Sequence, residues 1–125
     1  MSARGAGRFP RRERLTSRND FQAVFKHGAR VERPSVVVLW KNGGRTRRVG
    51  FAVSRQMRGA VQRNRVRRRL REAYRAARGR VETAGADVVV VARRAALTEP
   101  FEKLVRDLRS ALDAIAERTR AGRSA

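Results

Sequence analysis

The chain has 125 residues, 41% of them hydrophobic, with 32 Lys and Arg against 11 Asp and Glu and a formal net charge of +21. That length suits one compact domain with a modest core, and so large an excess of one sign opposes compaction and favours a polyanionic partner. There is no Cys and the single His is His27, which excludes a disulfide framework, a thiolate metal site and a His-based metal cluster.

Residues 1–14 carry Arg4, Arg8, Arg11, Arg12 and Arg14 among Gly, Ala and Pro, without periodicity. They read as a flexible basic arm, and without an apolar stretch they are not a secretory signal. No apolar run approaches the ~18 residues of a membrane span. The expectation is a cytoplasmic protein with no membrane partner. Thr16 or Ser17 offers an N-cap, with Asp20 three residues after Ser17 as an approximate capping box. Phe21, Val24 and Phe25 follow at i, i+3, i+4 and Gly28 stops the run, so a short amphipathic helix is predicted.

Ser35 to Trp40 is a β-rich run behind Pro34. Asn42-Gly43-Gly44 signals a turn. Arg48 to Ser54 alternates, with Val49, Phe51 and Val53 on one face and Gly50, Ala52 and Ser54 on the other. These two runs read as an antiparallel pair, shallow on the Gly50–Ala52 face. After Gly59, residues Val61 to Arg78 form a helix. Val66, Leu70, Ala73, Tyr74 and Ala77 make its apolar stripe, and Asn64, Arg68, Arg71 and Arg75 lie opposite. Arg63, Arg65, Arg67 and Arg69 cover the flanks, and Gly79 ends it. Asp87 to Ala92 reads as a strand buried on both faces. Thr98 caps a last helix that keeps helical spacing from Phe101 to about residue 116. The order is α-β-β-α-β-α, an α+β sandwich with its helices and sheet in layers around one core. The arm spans 1–14, the domain 15–116 and a short tail 117–125.

The helix at 61–78 repels itself by a few tenths of a kcal/mol per like-charged pair at i, i+4 spacing. Only Glu72 relieves it, and a phosphate-rich partner would remove the strain. Lysines occur only at Lys26, Lys41 and Lys103; the remaining cations are Arg, whose planar fork binds phosphate bidentately and stacks on bases. Part of that excess also fits a GC-rich genome. The helix sits between two strands, outside any helix-turn-helix, homeodomain or zipper context, so structured RNA fits better than DNA. Phe21 and Phe25 are either core residues or platforms for unpaired bases. Scattered carboxylates and a lone His27 give no catalytic or metal-binding motif.

The stretch Gly59-Ala-Val-Gln-Arg-Asn-Arg-Val-Arg-Arg-Arg-Leu-Arg-Glu-Ala-Tyr-Arg75 closely resembles the signature of the ribonuclease P protein family, an Arg-Asn-Arg core followed by a basic helix. Gly50-Phe-Ala-Val-Ser-Arg55 resembles the family's preceding strand, and Leu15 to Gly28 its first helix. The resemblance covers roughly residues 14–116. It implies a fold shared with a ribosomal protein domain, with an unusual left-handed βαβ crossover. It implies that Arg55, Arg63, Asn64, Arg65, Arg67, Arg68, Arg71 and Arg75 face a catalytic RNA subunit. A cleft between the first helix and the sheet would hold the 5′ leader of precursor tRNA, touched by Phe21, Phe25, Arg18 and Trp40. The RNA would hold the catalytic Mg²⁺ and perform the hydrolysis, so no catalytic residue, metal or further protein partner is expected of this chain. Three positions depart from the family pattern: Arg55-Gln56 stands where a Lys pair is usual, Arg58 where Gly is common, and Trp40 is the one aromatic of the first strand. The competing reading is a structural, ribosomal-type RNA-binding protein without a catalytic partner. A DNA-compacting protein and a self-sufficient nuclease fit less well, given the mixed α/β order and the absence of an acidic cluster.

Overall fold

The computed structural model describes residues 15, 18–42, 48–54, 57–78 and 86–124, with the side chains of residues 78 and 119–124 excepted. The arm at 1–14, the Thr16 and Ser17 caps, the Gly43-Gly44 turn, Arg55-Gln56 and the Gly79 stop lie outside the described residues.

The elements are α1 (Arg18–His27), β1 (Ala29–Glu32), β2 (Val36–Asn42), β3 (Arg48–Val53), α2 (Ala60–Arg78), β4 (Ala86–Ala92), α3 (Ala95–Thr98) and α4 (Phe101–Ser124). The strands form one sheet in the order β1-β2-β4-β3. β4 pairs antiparallel with β2 and parallel with β3, and β1 pairs antiparallel with β2. The expected β2–β3 pair is therefore not formed. β4 enters between them, because its Val88 to Ala92 run has apolar side chains for both faces and is most stable where both are covered. The sequence reading also lacked β1, an edge strand in which only Val31 is buried, and the one-turn helix α3.

α1 covers one face of the sheet; α2 and α4 pack together against the other. The main core lies under α2 and α4. It joins Val36, Val38 and Trp40 of β2 and Val88 and Val90 of β4 to the predicted α2 stripe and to Leu104, Leu108, Leu112 and Ile115 of α4. All five stripe residues of α2 are fully buried. Phe51 of β3 meets Tyr74 of α2 edge to face, with centroids 5.7 Å apart, a geometry worth about 0.5–1.5 kcal/mol beyond burial. The second core, under α1, is smaller: Leu15, Val24, Val37, Leu39 and Val89, with Phe21, Ala52 and Val91 at its border. Alternation along each strand assigns its apolar residues to one core or the other.

Two boundaries differ from expectation. Thr98 closes α3 instead of capping the last helix; the Pro100 carbonyl accepts the first bonds of α4, from the amides of Lys103 at 3.0 Å and Leu104 at 3.2 Å. α4 also continues to Ser124, beyond the expected end near residue 116. The apolar stripe marks where α4 leaves the core, not where its backbone stops, and Ala, Glu and Arg beyond it are good helix formers. At the start of β2, Asp107 of α4 accepts from the Ser35 hydroxyl at 2.6 Å and the Ser35 amide at 3.2 Å, so this buried carboxylate is hydrogen-bonded. Among the described residues no helix is long and apolar enough to cross a membrane.

Candidate RNA interface

α2 begins at Gly59, whose φ of +89° is open to glycine and costly for other residues. Its carbonyl accepts from the Arg63 amide at 3.1 Å, the first bond of the helix. From there the burial of the apolar stripe fixes the rotation of α2, so Asn64, Arg65, Arg68, Arg71 and Arg75 are exposed and Arg63 and Arg67 are half-buried.

The arginines of α2 whose side chains are described divide into two sets. Some serve the fold. Arg63 donates to the Met57 carbonyl at 3.1 Å and closes the loop before the helix. Arg69 donates to the carbonyls of Ala96, at 3.1 Å, and Glu99, and so satisfies the end of α3. Arg75 pairs with Glu72 one turn back at 3.0 Å. The others, Arg65, Arg67, Arg68 and Arg71, have no hydrogen bond or ion pair to another described residue. Among the described residues, nothing occupies their guanidinium donors, which suit an acceptor such as phosphate.

On the opposite side of the sheet, Arg48 bridges α1 and β4. Its guanidinium donates to both carboxylate oxygens of Asp87, at 2.9 Å each, and to Asp20 of α1 at 3.0 Å. The hydrogen bond to Asp87 holds the Arg48 pKa above the usual arginine value, against the desolvation that lowers it. The guanidinium is therefore charged throughout the working pH range.

Phe21 lies half-buried across Gly50, which bears out the shallow sheet face expected there. Phe25 is 49% exposed and lines a hollow of about 380 Å³ with Gln22 and Lys26. Arg18 is exposed at the start of α1. Trp40 is a correction: it lies on the other face of the sheet, in the main core, with the Arg118 guanidinium 5.4 Å above its ring. Alternation puts Trp40 with Val36 and Val38, and those face α2 and α4. Arg55 lies outside the described residues.

The same sheet face that α1 covers continues, beyond the helix, into an open groove of about 560 Å³. Val37 and Val91 line it along with Ser54, Arg30, Arg93 and Arg94. Arg30 and Arg93 share the Glu32 carboxylate. Sequence reasoning missed these arginines. Arg30 lies in the unrecognised strand β1, and Arg93 and Arg94 follow β4, a strand the sequence shows without marking the two arginines beyond it as part of a site. Among the described residues no group of three or more His, Asp or Glu could hold a metal ion.

Comparison with known proteins agrees with this architecture. The sequence model of the family described as Ribonuclease P matches residues 9–116. The ribonuclease P protein component of Symbiobacterium thermophilum is 47% identical over 93 residues, 73% of this chain and 80% of that protein. That of Kocuria rhizophila is 42% identical over 104 residues, 82% of this chain and 91% of that protein. The solved ribonuclease P protein of Thermotoga maritima superposes with a TM-score of 0.72 at 31% identity, covering 82% of this chain and 97% of that one. The Staphylococcus aureus protein gives 0.69 at 27% identity, covering 82% and 94%. A mixed α+β domain of matching fold, a family match over most of the length and relatives of this identity lead to one assignment: the chain belongs to the bacterial ribonuclease P protein component family.

Proposed function

We propose that this chain acts as the protein subunit of ribonuclease P, binding the catalytic RNA through the outer face of α2 and the single-stranded 5′ leader of precursor tRNA along the α1 side of the sheet. The observation that carries this reading is the open set Arg65, Arg67, Arg68 and Arg71, held outward by a fully buried stripe. A surface of this kind binds phosphate and fixes orientation without reading sequence. It suits an RNA whose identity is set by its own fold.

The leader reading rests on the other face. An apolar floor of Val37 and Val91 flanked by Arg30, Arg93 and Arg94 combines base contact with phosphate contact, the chemistry that single strands require. Phe25 adds an exposed ring from α1. Trp40, turned to the other core, has no part in it. Mg²⁺ and the hydrolysis belong to the RNA subunit in this scheme. The protein contributes by screening phosphate repulsion between the RNA and its substrate, consistent with its net charge of +21.

The test is 5′-leader cleavage of precursor tRNA, at limiting Mg²⁺, by a bacterial ribonuclease P RNA with and without this protein. Cleavage only with both components is the expected result. Binding to the RNA without added cleavage would favour the structural RNA-binding role, and cleavage by the protein alone would overturn the division of labour.

A further inference from the structure

α1 is held on the sheet by little apolar area. It has ten residues, of which only Val24 is buried. A helix so short is marginal alone and takes its stability from what it packs against. Polar ties supplement that packing. The Leu15 amide donates to the Val49 carbonyl at 2.9 Å, just before the helix. Within it, Asp20 meets Arg48 at 3.0 Å, while the same guanidinium grips Asp87 of the central strand with its other donors. Asp20 directly precedes Phe21, whose ring rests on Gly50 two residues along the strand from Arg48. One arginine thus sits at the end of the α1-side core and joins the helix to β4.

We propose that Arg48 is a positioning residue for single-stranded RNA. By holding Asp20 of α1 and Asp87 of β4 on one planar fork, it fixes where α1 stands over the sheet, and hence how much of that face the groove beside the helix leaves open to the leader. A flexible ammonium could not reproduce the fork, because three of the guanidinium nitrogens are engaged at fixed angles. This inference rests on the leader reading above.

Electrostatics alone makes the opposite prediction for the most informative variant. Asp20→Asn removes a negative charge and leaves the bidentate Arg48–Asp87 pair in place. Counterion release would then strengthen binding to any RNA. A loosened α1 would instead weaken binding of the leader and leave the rest of the substrate unaffected. The sign of the change separates the two.

The experiment uses the assembled holoenzyme. It measures affinity for precursor tRNA with a leader of several nucleotides and for mature tRNA, together with assembly on the RNA subunit and thermal unfolding of the free protein. For Asp20→Asn and for Arg48→Lys, the precursor-to-mature affinity ratio should fall by about three- to tenfold, with mature tRNA affinity and assembly unchanged. Phe25→Ala runs in parallel as the probe of the leader reading. If Phe25→Ala lowers the ratio while Asp20→Asn leaves it unchanged or raises it, the positioning role is wrong and the leader reading stands. If neither variant moves the ratio, the leader reading fails and takes this one with it. If Asp20→Asn weakens precursor and mature tRNA equally, or acts only through lost folding, Arg48 is structural alone and the proposal is overturned.

Discussion

The ring of Phe21 occupies the space a side chain at Gly50 would need: a Cβ there would lie 2.3 Å from Phe21 Cζ and 3.0 Å from the Leu15 carbonyl oxygen. Gly50→Ala must therefore push the ring, and α1 with it, off the sheet. The expected cost is about 1–3 kcal/mol, read by denaturant unfolding. Phe21→Leu in the same chain should recover part of it, which a double-mutant cycle would detect as coupling. Additive losses would mean that the two residues do not share that space.

Arg65→Ala with Arg68→Ala should weaken assembly with the RNA subunit without lowering protein stability, since neither side chain bonds to another described residue. Each lost phosphate contact lowers the slope of log affinity against log salt by roughly one. The double variant should show a slope shallower by about two. A salt slope equal to that of the unaltered protein would count against the outer face of α2.

Arg69→Ala should behave in the opposite way. Its guanidinium satisfies the carbonyls of Ala96 and Glu99, and losing charged hydrogen bonds of this kind costs about 1.5–3 kcal/mol when the acceptors stay buried. The salt slope should hardly change while the unfolding midpoint falls. Lost assembly affinity at full stability would place Arg69 with the RNA-facing set instead.

Phe25→Ala should lower affinity for precursor tRNA more than for mature tRNA, with stability nearly unchanged because the ring is half-exposed. Stacking on a base is worth about 1–3 kcal/mol, so the precursor should bind roughly five- to a hundredfold more weakly. Phe21→Ala is the less informative variant, because its ring is part of the second core and its loss also destabilises α1.

The sequence shows the fold clearly where a period is long and the composition extreme. The α2 stripe, the valine run of β4 and the helical spacing of α4 all have that character. The sequence suggests a β2–β3 pair because neighbours in sequence usually pair in space, whereas β4 lies between them. The run at Val88–Ala92 already held the correction, since the strand with apolar side chains on both faces belongs in the middle. β1 is short and mostly exposed, with a single buried residue, so it leaves almost no signal. At the site, periodicity separates the outer arginines of α2 from the buried stripe. It does not tell which of them are taken by the fold, because the acceptors of Arg69 are backbone carbonyls about thirty residues away. Alternation likewise groups Trp40 with Val36 and Val38 but leaves open which layer covers that face.

The central place of β4 also has a bearing on how the chain comes off the ribosome. Among the described residues β4 is the last strand in chain order, and β3 has no other partner in the sheet. A nascent chain ending before Ala86 lacks the strand that pairs with both β2 and β3, and α2 lacks much of its apolar floor. In that state the like charges of α2 oppose the helix and little burial favours it. An RNA that neutralises those arginines stabilises the same helix that β4 later covers. On the proposed reading, RNA binding at α2 and closure of the sheet would be thermodynamically linked, each stabilising the other.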